Sequence, residues 1–488
     1  MACRFIFNEV DMSQLRDTPY SMTINGVGVI SSETLGVVNP ATGEVFAQAP
    51  AAGAAELDQA VSAAAAAFPL WRATPHAERA AAAHKAAKAI AAHADELAEI
   101  FTLEQGRPLK FAKEEILGAS HWLMSMAKFD IPVDVTEDSE TRRVEVHHEP
   151  LGVVCAIVPW NFPVLLAFWK ISHALLTGNV MVLKPSPFTP LAMLKIGEIL
   201  RDVFPAGVLN IITGGDDLGP LMTAHPGFAK ISFTGSTATG KRIMASAAQD
   251  LKRLTLELGG NDAAIILPDV DVDKVAQELF MGAFYNTAQI CIATKRMYIH
   301  DDIYDALRDK LHGLAKFLKV GDGMEPDTVF GPVQNKPQYL RVKALMDEAR
   351  ADGLTLLEGR AVPQGNGYFL PLTLVDNPPE DSRVVTEEAF GPILPLLRYS
   401  DLDEVIERAN NSEYGLAGAV WSADIDKALA VAKRLDTGTV WINQNLQSTP
   451  VTPLGGHKQS GFGVENGMAG LMEFTQPKAI YIPKKSAK

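Results

Sequence analysis

From residue 151 onward the chain alternates between short apolar runs and helix-like stretches, and this alternation restricts its fold more than any other feature. The runs LGVVCAIVP, NVMVLKP, VLNIITG, KISFTG and AAIIL are rich in valine and isoleucine. Such runs are typical of strands that are buried on both faces of a parallel sheet. Helix-like stretches, such as 190–203 and 239–248, lie between them. The sequence therefore predicts a doubly wound α/β domain.

A second alternation follows the stretch DVDVDKVAQELF. The runs KRMYIH, FLPLTLVD, ILPLLRYS and GTVWINQN predict strands, and IYDALRDKLHGLAKFL and YLRVKALMDEARADG predict amphipathic helices. We place the boundary between the two units near Gly259-Gly260. Two units agree with the length of 488 residues, since a chain of this size usually forms two or three domains.

Two further regions lie outside these units. The alanine-rich segment 51–104 carries large apolar side chains at helical spacing and predicts packed helices, broken at Phe68-Pro69 and Thr74-Pro75. The segments TRRVEVHHEP and KAIYIPK alternate like exposed strands, which suits edge pairing with another subunit. The first roughly 20 residues predict a loosely held arm, with Met12 and Met22 as alternative starts.

Charge and composition exclude several classes of function. The formal net charge of −14 argues against nucleic acid or anionic lipid as the main partner, because phosphate groups would be repelled. A hydrophobic share of 47% and a charged share of 21% are typical of a soluble globular protein. We find neither a signal-peptide pattern nor the roughly 18 uninterrupted apolar residues of a membrane span. We therefore expect a cytoplasmic protein without membrane contact.

The segment NTAQICIATKR places Cys291 among small polar residues. A buried filler cysteine usually lies in an apolar run, as Cys155 does in LGVVCAIVP. Cys291 is a candidate nucleophile, with a metal ligand, half of a disulfide or a residue without function as alternatives. Together with Cys3, the cysteines are too far apart for a disulfide framework or a C-x-x-C metal site. We expect a free thiol and no metal, with His147-His148 as an exposed strand pair.

Two polar side chains in apolar surroundings are candidates for catalysis. Glu257 lies in LELGGNDAAII, where burial should raise its pKa towards that of a general base. A carboxylate that faces water at a strand end is the alternative. Asn161 lies in VPWNFPVLLAFWK, where a rigid aromatic turn would hold its amide as a donor to an oxyanion. The alternative is a turn asparagine bonded to its own backbone.

Three segments indicate where a nucleotide would bind. FTGSTATGKRI (233–243) predicts a strand, a turn and a helix whose N-terminus would face a phosphate, or else a plain turn. It is neither a G-x-G-x-x-G nor a Walker A motif. Lys184 follows a strand, where it would meet a ribose, a phosphate or solvent. Glu388 and Phe390 in EEAFGP would hold a sugar hydroxyl and a flat ring, or begin a turn. No G-x-S-x-G elbow supports a serine hydrolase.

Together these motifs resemble the aldehyde dehydrogenase superfamily, from about Val38 to about Phe474. The shared segments are PWNFP, the KP after a strand, FTGST-x-x-G, LELGG, the cysteine at its spacing, EE-x-FGP and PLGGHKQSG. The resemblance implies an aldehyde dehydrogenase-like α/β fold with two doubly wound domains. These are a Rossmann-like cofactor domain (1–128 and 150–258) and a catalytic domain (259–460). It also implies a β-hairpin oligomerisation element (129–149 with 475–488) and a homodimer or homotetramer.

The resemblance further implies roles for individual residues. Cys291 matches the nucleophile, Glu257 the general base and Asn161 the oxyanion donor. The implied reaction is NAD(P)-dependent oxidation of an aldehyde to the carboxylic acid through a thiohemiacetal and a thioester, which water activated by Glu257 hydrolyses. The positions that match cofactor contacts are Ile157, Trp160, Lys184, Ser186, Gly235, Ser236, Gly240, Leu258, Glu388 and Phe390. Those that match the substrate pocket are Phe162, Leu166, Trp169, Ile290, Ile292 and Leu446.

Two positions depart from the family pattern. Pro187 stands three residues after Lys184, where NAD-preferring members commonly carry a glutamate that binds the adenosine ribose. Without that carboxylate the 2′-phosphate of NADP is no longer repelled, so we expect NAD as the cofactor with NADP as the alternative. Ala288 stands where the family more often has glycine, and it adds a methyl group in a tight turn before Cys291.

The remaining expectations concern the reaction and its substrate. Relatives that pass the acyl group to coenzyme A typically lack the glutamate that Glu257 matches, so hydrolysis to the free acid is favoured. A catalytically idle binding protein and a cofactor-independent esterase of the same fold are the alternatives. The pocket candidates are apolar and include no arginine, so we expect aliphatic or aromatic aldehydes to be preferred over charged semialdehydes.

Overall fold

The prediction of a doubly wound α/β fold is confirmed in the computed structural model, which describes residues 19–484. The first sheet has five parallel strands at its centre and antiparallel strands at its edges. The central strands are buried, as continuous apolar runs require. In spatial order the strands are Val27–Val29, Met22–Ile24, Leu209–Ile211, Val180–Lys184, Val153–Ile157, Lys230–Thr234, Arg253–Glu257 and Gly461–Phe462.

The second sheet has seven strands, and all neighbours are parallel except the pair at one edge. Apolar clusters cover both of its faces. In spatial order its strands are Thr355–Glu358, Thr373–Asp376, Ile393–Tyr399, Thr294–His300, Asp262–Ile266, Ala417–Trp421 and Thr439–Ile442.

The run AAIIL follows the strands of the first alternation in the sequence, but it also follows the predicted boundary near Gly259-Gly260. It forms part of the strand Asp262–Ile266 and belongs to the second sheet. The last parallel strand of the first sheet is instead Arg253–Glu257. An apolar run indicates a buried strand but not its neighbours, because both sheets are buried on both faces.

The helices pack on both faces of the two sheets and in a layer before residue 130. The helix that begins at Ala54 continues through Pro69 and ends before Thr74-Pro75, so the predicted break at Phe68-Pro69 is wrong. The α-helices are Ala54–Ala73, His76–Ala92, Ala94–Gln105, Leu109–Met126, Pro163–Leu176, Leu191–Leu200, Leu218–Ala224, Thr237–Ala247, Val272–Phe284, Tyr304–Phe317, Lys336–Ala351, Arg383–Thr386, Leu402–Asn410, Ile425–Ala432 and Gly467–Met472. Short 3-10 turns span Ala248–Asp250, Tyr285–Ala288 and Asp301–Ile303.

A three-stranded antiparallel sheet stands apart from the other two, and we call it the peripheral sheet. Its central strand Arg142–Pro150 pairs with Thr475–Pro483 on one side and with Asp134–Asp138 on the other. The two strands expected at a subunit edge thus pair with each other inside one chain. The predicted N-terminal arm, Cys3 and residues 485–488 lie outside the described residues. Two small antiparallel pairs complete the fold: Thr34–Asn39 with Glu44–Pro50, and Tyr414–Gly415 with His457–Lys458.

The two large sheets meet at a short link in the chain. Glu257 ends the last parallel strand of the first sheet, and Asp262 begins a central strand of the second. The carboxyl ends of the first sheet therefore lie close to the amino ends of the second. Within residues 19–484, no helix combines the length and the apolar character that crossing a bilayer requires.

Candidate active site

The first sheet reverses its winding between the neighbouring strands Val153–Ile157 and Lys230–Thr234. At such a point a crevice opens outside the carboxyl ends of the strands, and it is the usual place for a bound dinucleotide. Ile157 ends the first of these strands, and Gly235 follows the second. Lys184 ends the strand next to them and is buried. The fold thus brings three of the predicted cofactor residues to one edge of the sheet.

The turn after Gly235 leads directly into the helix Thr237–Ala247. Ser236 caps this helix, because its hydroxyl accepts a hydrogen bond from the backbone N–H of Thr239 at 3.3 Å. The other N–H groups of the first turn lack partners within the helix, and together with the helix dipole they favour an anion. The turn therefore fits a phosphate group of a nucleotide.

Two glycines shape the backbone around this turn. A Cβ atom at Gly235 would lie 2.4 Å from the ring of Phe233, and one at Gly240 would lie 2.6 Å from the side chain of Leu258. Leu258 is buried and packs over the position where that Cβ atom would be. Glycine at both positions thus allows the strand, the turn and the helix to pack closely, as a turn that binds phosphate requires.

The other cofactor candidates lie on loops near the link between the sheets. The rings of Trp160 and Phe390 meet edge to face with their centres 5.3 Å apart. The Glu388 carboxylate accepts a hydrogen bond from the N–H of Gly260 at 3.1 Å. Ser186 is buried, and its hydroxyl accepts a hydrogen bond from the backbone two residues further on. An aromatic pair and a carboxylate at the junction fit a flat ring and its ribose.

Cys291 lies in the loop before the strand Thr294–His300, and its side chain is half-buried. The three residues Asn286, Thr287 and Ala288 have φ angles of 51°, 57° and 61°. This left-handed conformation costs a residue that has a Cβ atom about 1 kcal/mol or more. It explains why glycine suits the position of Ala288 and why the loop depends on contacts from elsewhere.

The side chain of Asn161 supplies one of those contacts. Its Nδ2 donates a hydrogen bond to the carbonyl oxygen of Gln289 at 2.9 Å, two residues before Cys291. The Asn286 amide donates in turn to the carbonyl oxygen of Asn161 at 3.2 Å. An amide group has two hydrogens, so Asn161 keeps one that is free to bind an oxyanion held at Cys291.

Arg107 joins the same network, although no sequence pattern pointed to it. It is buried and donates hydrogen bonds to the carbonyl oxygen of Asn161 at 2.6 Å and to Oδ1 of Asn286 at 3.1 Å. It forms a buried ion pair with Glu115, and its guanidinium lies 4.0 Å from the centre of the Phe162 ring. A lone arginine in EQGRPL gives no signal, because most of its partners are distant in sequence.

Glu257 is buried, and its Oε1 has no hydrogen-bond partner among the described residues. Burial raises the pKa of this carboxyl group well above its ordinary value, and Glu465 adds to the increase while Lys170 opposes it. Lys170 and Glu465 form a fully buried ion pair, and Lys170 also donates to Oγ1 of Thr234 at 2.8 Å. A buried carboxyl group that lacks a partner is suited to accept a proton from water.

The two cysteines in the described part of the chain differ in access. Burial raises the pKa of the Cys291 thiol to about 12, the buried lysine Lys295 opposes the increase, and three neighbouring carboxyl groups add to it. Cys155 lies fully buried in a central strand, where burial also raises its pKa to about 12. Cys291 lies on a loop and is partly accessible, so it is the one suited to react.

One predicted pocket residue, Leu446, lines a surface depression of about 360 Å³. Met281 and Tyr285, which the sequence analysis missed, add large apolar surfaces to it. Glu278 gives the depression a negative charge, and no lysine or arginine of residues 19–484 lines it. The other lining residues are Gly282, Gln444, Asn445 and Gln447.

The remaining pocket candidates do not line this depression. Leu166, Trp169 and Ile290 are buried, and the ring of Trp169 stacks on Trp122 with the ring centres 5.1 Å apart. Phe162 and Ile292 are half-buried, as is Leu446. Ile290 and Ile292 flank Cys291 in the chain, so they lie beside the candidate nucleophile.

The metal-ligating residue types do not cluster in the described part of the chain. Between residues 19 and 484, no group of three or more histidine, cysteine, aspartate or glutamate side chains could hold a metal ion. His147 and His148 contact Glu145 and Asp134 on the peripheral sheet instead.

Comparisons with known proteins agree with this arrangement. A sequence model described as the aldehyde dehydrogenase family matches residues 29–480. The chain is 41% identical to the aldehyde dehydrogenase LUC3 of a Fusarium species, over 92% of this chain and 95% of that protein. It is 37% identical to a phenylacetaldehyde dehydrogenase of Pseudomonas fluorescens, over 95% of this chain and 96% of that protein. A solved NAD+ complex of a Bacillus cereus aldehyde dehydrogenase superimposes with a TM-score of 0.95 at 36% identity, over 98% of this chain and 99% of that one.

Proposed function

Because the chain belongs to the aldehyde dehydrogenase family, we propose that Cys291, Glu257 and Asn161 are the residues that carry out its reaction. The chain is an NAD(P)-dependent aldehyde dehydrogenase, and the resemblance seen in its motifs is confirmed. The observation that carries the proposal is the convergence of a half-buried thiol, a buried carboxyl group without a partner and a side-chain amide at the link between the two sheets.

In the proposed first step, the thiolate of Cys291 attacks the aldehyde carbonyl carbon and forms a carbon–sulfur bond. The carbonyl electron pair moves to the oxygen, which becomes an alkoxide. The free hydrogen of the Asn161 amide and the backbone N–H of Cys291 stabilise this charge. The chemistry that a bound nicotinamide supplies is acceptance of a hydride, which oxidises the adduct on Cys291 to a thioester.

In the proposed second step, Glu257 takes a proton from a water molecule that attacks the thioester carbonyl. Collapse of the adduct breaks the carbon–sulfur bond, releases the carboxylic acid and returns the Cys291 thiolate, and Glu257 then releases its proton to solvent. Two observations support this role for Glu257: burial raises its pKa, and its Oε1 has no partner among residues 19–484. Asn161 again stabilises the oxyanion in this step.

The dinucleotide would be held by the crevice at the carboxyl edge of the first sheet. Ser236 and the helix that follows it would bind a phosphate, and Glu388 would bind the nicotinamide ribose. We propose NAD as the preferred cofactor. Pro187 offers no carboxylate, but Asp216 and Asp217 follow the neighbouring strand Leu209–Ile211 and lie close enough to act on Lys184. Both aspartates are exposed, and they would repel the 2′-phosphate of NADP near Lys184.

We propose that the preferred substrate is an uncharged aliphatic or aromatic aldehyde. Leu446, Met281 and Tyr285 give the surface depression apolar walls, and Glu278 would repel an anionic aldehyde. A relative of this chain is named phenylacetaldehyde dehydrogenase, which agrees with an aromatic substrate.

The proposed quaternary structure is a homodimer or homotetramer that pairs through the peripheral sheet. The strand Thr475–Pro483 is exposed along most of its length and carries Ile480, Tyr481 and Ile482 on its surface. Its outer edge offers unpaired backbone groups to a second copy. We further propose a cytoplasmic location, because a reducing compartment keeps the Cys291 thiol free.

The test is turnover of an aldehyde panel with NAD and with NADP, followed by the absorbance of the reduced nicotinamide in the absence of coenzyme A. We expect hexanal and benzaldehyde to give higher kcat/KM than succinate semialdehyde, and Cys291→Ala to give no turnover. Reduction that persists in Cys291→Ala would refute the assigned nucleophile. Ester hydrolysis without cofactor, and no aldehyde oxidation, would instead indicate an esterase.

A further inference from the structure

Lys295 lies four residues after Cys291, and its side chain is only 5% exposed. No step of the proposed reaction uses this buried charge. We propose that Lys295 is a positioning residue for the nucleophile: its ammonium group fixes the backbone of the Cys291 loop and favours the ionised thiol. The inference rests on the proposed role of Cys291.

A β-bulge directs this side chain. The strands Asp262–Ile266 and Thr294–His300 are parallel neighbours in the second sheet. Asp262 lies opposite Thr294, but the next residue, Ala263, lies opposite Arg296. Lys295 is therefore the extra residue that has no partner in the ladder. Bulges change the direction of a side chain and are common next to active sites. Here the extra residue of the bulge lies four residues after Cys291.

The ammonium group of Lys295 contacts the nucleophile loop directly. Its Nζ donates a hydrogen bond to the carbonyl oxygen of Cys291 at 2.5 Å and to that of Ala293 at 3.3 Å. It also lies 3.7 Å from Oε1 of Glu388, the oxygen that accepts the Gly260 N–H. Lys295 thus donates two hydrogen bonds to the backbone of the Cys291 loop and forms an ion pair with Glu388.

The space around these contacts is fully used. A Cβ atom at Gly260 would lie 2.7 Å from the carbonyl oxygen of Cys291 and 2.8 Å from Oδ1 of Asp262. A Cβ atom at Gly259 would lie 2.4 Å from Oε2 of Glu388. The glycine pair that links the two sheets thus leaves room for the cysteine carbonyl and two carboxyl groups, and Lys295 brings a positive charge among them.

The charged groups that face the thiol are mostly acidic. Glu388, Asp262 and Glu257 approach it from three different segments, and each raises the pKa of Cys291. Lys295 acts in the opposite direction. Burial raises the pKa of Asp262 to about 7, so this carboxyl group is partly neutral near pH 7, and burial also raises the pKa of Glu257 well above its ordinary value. Because Lys295 lowers the pKa of Cys291, removal of the Lys295 charge should disfavour the thiolate.

The inference is tested by alkylation of the thiol with iodoacetamide, which needs neither aldehyde nor cofactor. The rate is measured between pH 7 and 9 on the full-length protein, with Cys291→Ala as the background for other thiols. At any pH below the thiol pKa, a rise of one pKa unit lowers the thiolate fraction about tenfold. We expect Lys295→Met and Lys295→Gln to react about tenfold more slowly than the wild type, and Lys295→Arg to stay within about twofold.

Matched variants separate charge from shape. Lys295→Gln keeps a donor for the Cys291 carbonyl, so it serves if Lys295→Met does not fold. Lys343→Met, which removes an exposed lysine paired with Asp347, should not change the rate. Glu388→Gln should increase the rate, because it removes a negative charge that faces the thiol.

Three results would overturn the inference: unchanged rates in folded Lys295→Gln, an equal loss in Lys295→Arg and Lys295→Met, or no increase in Glu388→Gln. The proposed function is tested separately by aldehyde turnover. Alkylation that depends on Lys295 in a protein without aldehyde turnover would support this inference and reject the proposed function.

Discussion

The side-chain amide of Asn161 donates a hydrogen bond to the carbonyl oxygen of Gln289 at 2.9 Å, which connects the candidate oxyanion donor to the loop that carries Cys291. The candidate donor and the candidate nucleophile come from segments about 130 residues apart, on opposite sides of the link between the sheets. Their relative position is therefore set by a direct contact. The hydrogen bond to Gln289 also holds the Asn161 amide in place before any substrate binds.

Asn161→Ala should lower kcat by about a hundredfold to a thousandfold, because it removes a donor that acts on charge formed in the transition state. KM should change little, so kcat and kcat/KM should fall together. Steady-state kinetics with the preferred aldehyde measure this. Asn410→Ala, which removes a half-buried amide that donates to the backbone carbonyl oxygen of Arg434, is the matched control and should behave like the wild type. A kcat within twofold of the wild type in Asn161→Ala would exclude the oxyanion role.

The buried ion pair of Arg107 and Glu115 should be essential for stability. Both side chains are 1% exposed, and Arg107→Met would leave a buried carboxylate without its partner, at a cost of about 3–5 kcal/mol. Urea unfolding measures the loss, and Arg107→Met/Glu115→Gln should recover part of it. The exposed pair Arg350–Glu358 is the control, where Arg350→Met should cost about 0.5 kcal/mol or less. Equal costs at the two sites would contradict the buried network.

The sequence predicted those parts of the molecule whose signals are local. Runs of valine and isoleucine indicated the parallel strands, and the surroundings of Cys291, Glu257 and Asn161 marked them as candidates without any structure. The contacts of Arg107 depend on segments 54 and 179 residues away, and no local pattern reports such contacts. The bulge at Lys295 depends on the register with a neighbouring strand. The sheet that AAIIL joins likewise depends on its partners.

The raised pKa of Glu257 predicts how the rate depends on pH. A base acts only when ionised, so the deacylation rate should rise tenfold per pH unit until the pKa of Glu257 is reached. In Glu257→Gln this rise should be lost and kcat should fall about a hundredfold to ten-thousandfold. Stopped-flow measurements should still show a burst of reduced nicotinamide, because the thioester forms before Glu257 is needed. Loss of the burst itself would show that Glu257 acts earlier.

The same shift affects stability. The pKa of Glu257 is higher in the folded state than in the unfolded state, where it is near 4.5. At a pH between these two pKa values, the folded state keeps a proton that the unfolded state releases. The free energy of unfolding should therefore fall as the pH rises through this window. Glu257→Gln cannot ionise and should show a weaker decline. Thermal unfolding of both proteins at pH 5.5 and pH 8 compares the two slopes.

We expect the cofactor preference to depend on two aspartates rather than on the position of Pro187. Asp216 and Asp217 follow the strand Leu209–Ile211, whose neighbour ends at Lys184, and both carboxylates act on the Lys184 ammonium. A 2′-phosphate near Lys184 would meet these negative charges at a cost of about 1 kcal/mol each, or about fivefold in binding. Asp216→Asn/Asp217→Asn should therefore raise kcat/KM for NADP about 25-fold and change that for NAD by less than about threefold.

An electrostatic origin of this preference has a second consequence. Both aspartates are exposed, so salt should screen them, and the proposed wild-type preference for NAD should weaken as the ionic strength rises from 0.02 to 0.5 M. In the double variant, the ratio of kcat/KM for NAD to kcat/KM for NADP should depend less on salt. Asp426→Asn, at an exposed aspartate of a helix on the second sheet, is the control and should keep the wild-type ratio at every salt concentration. A double variant with the wild-type ratio and salt dependence would show that shape, and not charge, excludes the 2′-phosphate.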